Sequence, residues 1–221
     1  MTHSPVMKAA FDPLFNKSCQ RNILLRAAIL FCSLVPAAFP LSAQIQPLTR
    51  PVNLAFLARR AEVIVQGRVV QARYEGLPNY PHIRTVVVTL EVERMLRGPE
   101  GSRYTFRQIL LGSPGRGPKS VYASGQRMLL FLPAPSQHGL SSPIGHVQGR
   151  FHITRDPRGA ELISNEMGNA GLFKGVAADA ERVGARLTAE QSETASTPRG
   201  PVRLTDFTDL LKHLMLLPRT E

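Results

Sequence analysis

Cysteine is nearly absent from this chain of 221 residues, which has only Cys19 and Cys32. Both come before residue 44, so the remaining chain contains no thiol group. This excludes a disulfide framework, a cysteine nucleophile and a cysteine-ligated zinc ion from that part of the chain. A domain of this size can still form a sufficient hydrophobic core without covalent cross-links.

The usual catalytic and metal-binding motifs are also missing. No G-x-S-x-G nucleophile turn occurs in the sequence. No two histidines stand at the spacing of an H-x-H or H-E-x-x-H metal site. We therefore expect a protein that is not an enzyme and that holds no cofactor and no metal ion.

The stretch GSPGRGPKS, Gly112–Ser120, has the glycine spacing of a phosphate-binding loop. However, Pro118 removes a backbone N–H where such a loop needs a donor. The residues that follow predict a turn and a short strand, whereas a bound phosphate needs the N-terminus of a helix there. We interpret the stretch as a flexible loop between two strands.

The first 43 residues have the order of a secretory signal peptide. Four basic residues precede an apolar run, Ala27–Phe39, and small residues follow up to Ala43. The run is shorter than the roughly 20 residues that a membrane-spanning helix needs. We predict cleavage near Ala43 and an extracytoplasmic location, periplasmic or secreted. An uncleaved anchor, with membrane contact through this segment alone, and a lipoprotein attached through Cys32 remain alternatives.

The chain is basic, but its positive charge is not concentrated. Residues 1–43 hold four of the 27 basic and one of the 16 acidic residues, which leaves 23 and 15 and a net charge of +8. No three basic residues are consecutive, so we interpret the charge as spread over the surface. An exported protein also meets little nucleic acid, and we expect no nucleic-acid partner.

Alternating apolar and polar residues predict a mainly β fold between residues 62 and 165. In the clearest strand, Val86, Val88 and Leu90 share the face that we expect to be buried. Gly67, inside the first strand, predicts a bend or a bulge. The predicted strands span residues 62–75, 83–98, 102–111, 128–132, 147–154 and 160–164.

Helices are predicted on both sides of these strands. A short helix follows Asn53, its predicted cap, and another lies within residues 176–187. The polar segment Thr188–Pro201 predicts a mobile linker. The last helix, Thr205–Leu217, has an apolar stripe that we expect to dock on the β domain, with binding to a partner as the alternative. The chain thus divides into a signal peptide at 1–43, a β domain at 44–175 and a helical tail at 176–221.

Three stretches, ARRAEVIVQGRVVQARYE, TVVVTLEVERMLRGPEG and GQRMLLFL, resemble the netrin-like modules typified by tissue inhibitors of metalloproteinases. The chain is also similar to uncharacterised exported bacterial proteins with a QG-x-F-x-V-x-x-D hairpin, here Gln148, Gly149, Phe151 and Asp156. The resemblance covers about residues 54–165 and implies a five-stranded OB-like Greek-key barrel with flanking helices. The inhibitors chelate zinc through an N-terminal cysteine, which is missing here, so their mechanism is not implied.

These observations favour an exported, non-catalytic binding or accessory protein, whose partner is an extracytoplasmic protein or a polysaccharide. OB-like barrels bind such ligands with strand and loop side chains, and stacking needs exposed aromatic rings near basic residues. The candidate binding surface consists of Arg103, Tyr104, Arg107, Arg116 and Tyr122.

Two other functions remain open. One is a hydrolase that uses His146, His152 and a carboxylate such as Glu91. Glu91 and Glu93 lie about 7 Å apart on one face of a strand, a spacing that suits a carboxylate pair. The other is a protease inhibitor that acts through the surface loop Gly112–Ser120.

Overall fold

Seven antiparallel strands form one sheet in the computed structural model of the protein, which describes residues 51–111 and 121–216. All of these residues belong to one compact unit, Leu48–Glu221. The predicted signal peptide, the loop Gly112–Ser120 with Arg116, and Leu217 lie outside the described residues. Within them, no helix is both long and apolar enough to cross a membrane.

The prediction of a mainly β fold is confirmed. The strands are β1 (Val63–Leu77), β2 (Tyr80–Arg97), β3 (Arg103–Ile109), β4 (Arg127–Leu132), β5 (Arg150–Arg155), β6 (Glu161–Asn165) and β7 (Val202–Arg203). Their order in the sheet is β3-β2-β1-β4-β5-β6-β7. The five-stranded barrel is not confirmed, because the described part of the sheet has seven strands and its edge strands β3 and β7 do not pair.

Gly67 lies at a bulge in β1, as its position within an alternating strand predicted. The pairing of β1 with β2 shifts register between Gln66 and Gly67. A Cβ atom at residue 67 would lie 2.5 Å from the backbone oxygen of Glu91. Only glycine therefore allows the two strands to approach this closely.

The sheet carries two hydrophobic cores, one on each face. On one face, Ile64, Phe131 and Phe151 pack against the helices, and we call this the helix face. On the other, here the inner face, side chains of β1, β2, β3 and β4 pack together, among them Val88 and Phe106. Every residue from Met128 to Leu132 is buried, because β4 lies between the two cores.

Four helices lie within the described residues: α1 (Leu54–Arg60), α2 (Val176–Arg182), α3 (Ala189–Ala195) and α4 (Leu204–Met215). Asn53 caps α1 as predicted, since its side chain accepts a hydrogen bond from the backbone N–H of Phe56 at 2.8 Å. The prediction of a mobile linker at Thr188–Pro201 is wrong, because α3 occupies its first half. There, Thr188 and Gln191 form a reciprocal capping box.

The last helix docks on the rest of the protein, as expected. Phe207, Leu210, Leu211 and Leu214 are fully buried in the helix-face core. The predicted cap at Thr205 or Asp206 is wrong, because the chain passes directly from β7 into α4 and the cap residue is Arg203, which makes no side-chain capping bond.

The loop between β4 and β5 contacts two strands of the sheet. Its Ser141 donates a backbone hydrogen bond to Arg107 of β3 at 2.8 Å, and its Ile144 donates one to Phe131 of β4 at 2.9 Å. Leu140 forms a parallel bridge with Arg107. The loop therefore lies along the edge of β3 and forms one wall of a cleft there.

Candidate functional site

The structure brings two of the five residues of the candidate binding surface to one cleft. Tyr104 and Arg107 both line it, although Tyr104 points to the inner face of β3 and Arg107 to the opposite face. Arg103 is exposed on the same face as Arg107, opposite Glu91 of β2. Arg116 lies outside the described residues.

Tyr122 does not belong to a surface, which corrects its place in the predicted set. Its side chain is buried in the inner-face core and hydrogen-bonds to the side chain of Gln108. The guanidinium of Arg150 lies 5.3 Å from the centre of its ring. Burial raises the pKa of Tyr122 to about 12. The ring is therefore a packing residue and cannot stack on a ligand.

The cleft runs along the edge of β3 and has a volume of about 230 Å³. One wall is β3 itself, from Tyr104 to Arg107, with Val87 of β2 beside it. The other wall is the β4–β5 loop, with Pro135, Gly139 and Ser141. We call it the β3 cleft. The described part of its lining combines apolar surface, hydroxyl groups and one guanidinium.

Arg107 lines this cleft, and its guanidinium is engaged by other groups of the protein. It donates hydrogen bonds to Glu75 Oε1 at 2.7 Å, to Thr85 Oγ1 at 3.0 Å and to the backbone oxygen of Gly76 at 3.4 Å. Arg73 and Arg107 together hold the pKa of Glu75 below its usual value. Arg107 therefore connects β3 to the tip of the β1–β2 hairpin.

An exposed cluster of three rings lies at that hairpin tip: Tyr80 and His82 belong to β2, and His138 comes from the β4–β5 loop. The ring of Tyr80 stands nearly perpendicular to both imidazoles, with centroid distances of 6.4 Å to His82 and 5.6 Å to His138. Tyr80 is 42% exposed. His138 directly precedes Gly139 of the cleft, so this ring cluster adjoins the β3 cleft.

Within the described part of the chain, no hydrogen bond or salt bridge joins His146, His152 and Glu91, the residues of the hydrolase alternative. His152 contacts Gln126, whose Nε2 lies 2.7 Å from Nδ1, and Glu166, whose Oε1 lies 3.7 Å from Nε2. Glu91 lies on β2, where it is paired with Arg68 of β1 and with Arg103 of β3. Among the described residues, no three His, Cys, Asp or Glu side chains converge as a metal site would require.

Glu93, the other member of the proposed carboxylate pair, is engaged in ion pairs. Arg127 donates to both of its carboxylate oxygens, and Gln66 donates to one at 3.0 Å. Arg127 lowers the pKa of Glu93 below its usual value. A general acid needs a raised pKa near neutrality, so Glu93 is unsuited to that role.

No protein-family model matches the chain, and no curated protein matches it. The resemblance to netrin-like modules therefore depends on the strand motifs alone and stays a prediction. The inhibitor alternative stays a prediction as well, since its loop, Gly112–Ser120, lies outside the described residues.

Proposed function

We propose that the protein is an exported, non-catalytic module that binds a stretch of polysaccharide on the ring cluster and the β3 cleft. The observation that carries the proposal is Tyr80, a largely exposed ring held edge-on between His82 and His138. Aromatic residues with one apolar and one polar part are enriched where proteins bind ligands.

The chemistry of this surface matches that of a sugar. A sugar ring has an apolar face of C–H groups and hydroxyl groups around its rim. The Tyr80 ring offers an apolar surface, and its perpendicular neighbours restrict its rotation, so that little conformational entropy is lost on binding. Thr105 and Arg107 add polar groups in the adjoining cleft.

The size of the cleft favours a polymer over a small molecule. Pockets that enclose whole small ligands usually measure about 300–1,000 Å³, and the β3 cleft has about 230 Å³. It therefore suits one unit of a longer chain, whose neighbouring units extend over the ring cluster.

The proposal includes an OB-like arrangement of the strands around this site. It is supported by the β4–β5 loop, which bonds to both β3 and β4 and so links the two ends of the series β3-β2-β1-β4. OB-like barrels bind oligosaccharides on strands 2 and 3 and on adjacent loops. In this protein the corresponding positions are β2, β3 and the β1–β2 hairpin tip.

The surroundings of His152 disfavour one enzymatic role, that of Glu166 as a general acid. The pKa of Glu166, the carboxylate next to it, is lowered to about 2 because His152 and Arg150 face it. Glu166 is therefore an anion at neutral pH and a poor proton donor.

The test is retention of the exported protein on insoluble polysaccharides of the cell envelope. We expect saturable binding to at least one of them and a loss of about tenfold in affinity for Tyr80→Ala. Tyr74→Ala is the matched control, since Tyr74 lies on the same hairpin with 39% exposure. Equal losses in both variants, or retention on none of the polysaccharides, would contradict the proposal.

A further inference from the structure

A second and larger cleft lies beside α1. Its volume is about 1110 Å³. One wall is the start of α1, from Pro51 to Arg59, and the other comprises the turn around Met167–Lys174 together with Asp179 of α2. None of these residues lines the β3 cleft. This α1 cleft is therefore independent of the proposed polysaccharide site.

The floor of the α1 cleft is apolar. Phe56 lies in it and is 38% exposed, although Leu54, Ala55, Leu57 and Ala58 of the same helix are fully buried. Val52, Met167 and Ala170 add partly buried apolar surface. Apolar lining of this kind is typical of sites that take the hydrocarbon part of a ligand.

Two cations line the cleft and form no direct salt bridge among the described residues. Arg59 and Lys174 both line it, and within the described residues neither forms a salt bridge. Among the described lining residues the one acid is Asp179, which is bonded to Asn53 Nδ2 at 2.8 Å and to Arg182 at 2.7 Å. Against the effect of burial, these two hydrogen bonds lower the pKa of Asp179, and the nearby charge of Arg59 adds to the lowering. Arg59 and Lys174 still outnumber this carboxylate, so the described lining carries a net positive charge.

The two walls are fixed to each other by hydrogen bonds. Leu54 donates its backbone N–H to Leu172 at 2.8 Å, and Asn53 Nδ2 donates to the backbone oxygen of Lys174 at 3.0 Å. Val52 donates to the side chain of Gln148, which is buried, at 2.9 Å. Because these bonds hold the walls in place, a ligand would enter a preformed site.

From this geometry we infer that the α1 cleft binds a free long-chain carboxylate. The hydrocarbon chain lies along Phe56 and Met167, and the carboxylate is held by Arg59 and Lys174. A guanidinium binds a carboxylate with two parallel hydrogen bonds, and the ammonium adds a second charge. Both parts of the ligand are needed, because the apolar floor and the two cations belong to the same cleft.

The test uses the full exported chain and cis-parinaric acid, a long-chain carboxylate whose fluorescence rises in an apolar environment. We expect saturable binding of the acid, and binding of its methyl ester about tenfold weaker because the ester has no charge. Phe56→Ala should weaken acid and ester alike, since it removes only apolar surface.

Arg60, which follows Arg59 on α1, provides the control for the charged residues of the cleft. Arg59→Gln and Lys174→Gln should each weaken binding of the acid about fivefold and leave the ester unchanged. Arg60→Gln should have no effect, because Arg60 is exposed and does not line the cleft. Lys174 is exposed, so its variant tests the charge even if Arg59→Gln perturbs the fold.

Several results would overturn the inference. One is equal affinity of the protein for the acid and the ester, and another is a loss of acid binding in Arg60→Gln as large as in Arg59→Gln. The others are displacement of the probe by a glutamate peptide, and binding of the protein to lipid vesicles without binding of the free acid. Polysaccharide retention serves as a separate readout. It should be unchanged in the Arg59 and Lys174 variants, so this inference and the proposed function can fail independently.

Discussion

Arg127 binds both carboxylate oxygens of Glu93, with Nε 2.8 Å from Oε1 and Nη2 2.7 Å from Oε2. Its remaining nitrogen, Nη1, lies 2.5 Å from Glu161 Oε1. One side chain on β4 therefore connects β2 to β6, two strands that are not neighbours in the sheet. The two carboxylates, in turn, hold the pKa of Arg127 above its usual value.

Arg127→Ala should lower the free energy of unfolding by about 1–3 kcal/mol. The Arg127 side chain is only 18% exposed, and its removal leaves Glu93 and Glu161 without their main partner. The urea midpoint measures the effect. Arg155→Ala is the control, because Arg155 reaches Glu161 only at 3.4 Å and is 71% exposed. A loss as large in the control would refute the role assigned to Arg127.

The stability of the protein should fall between about pH 4.5 and pH 2 as Glu166 is protonated. Its pKa is lowered from 4.5 to about 2, because His152 and Arg150 stabilise its charged form in the folded state. A carboxyl group with a depressed pKa contributes fully above its unfolded value and loses that contribution as the pH falls through its folded value.

The measurement for Glu166 is the urea midpoint as a function of pH. Glu166→Gln should flatten the decline below pH 4.5, since the variant has no proton to gain at this site. Glu100→Gln is the control, because Glu100 forms no ion pair among the described residues. A decline of unchanged slope in Glu166→Gln would show that other groups cause it.

Leu211→Ala should cost about 2–5 kcal/mol of stability. Leu211 is fully buried in the helix-face core, so its truncation leaves a cavity where α4 packs. Lys212→Ala, at the next position of the same helix and largely exposed, should change stability by less than about 0.5 kcal/mol. Chemical denaturation of both variants makes the comparison, and similar values would mean that α4 is not docked in solution.

Cleavage near Ala43 should give an exported protein that lacks the first 43 residues. Signal peptidases require a small residue before the cleaved bond, so Ala43→Arg should reduce processing. Intact-mass measurement of the protein from its native host decides the matter. A mass that still includes Met1 or Met7 would disprove cleavage.

Periodic patterns in the sequence were sufficient to predict most strands and the buried face of α4. Val86, Val88 and Leu90 alternate with polar residues, and the structure buries all three. Thr188 and Gln191 carried the capping-box spacing that marks α3. The polar composition of the surrounding segment nevertheless favoured a linker, because composition alone gives no information on helix capping.

The candidate site was less predictable, because its parts are distant in the chain. Tyr80 and His138 meet only when the β4–β5 loop lies along β3 and reaches the hairpin tip. Tyr122 precedes β4 in a segment without regular structure, so no period indicated that it points inward. Tertiary contacts alone decide both placements.

The buried phenol of Tyr122 gives the protein a built-in optical signal. The chain has no tryptophan and four tyrosines, so its near-ultraviolet absorbance comes mainly from phenol groups. Because Tyr122 ionises only near pH 12 while the fold is intact, its phenolate should be the last to appear in an alkaline titration. Unfolding would merge that late step with the others, which allows absorbance alone to follow the integrity of the inner-face core.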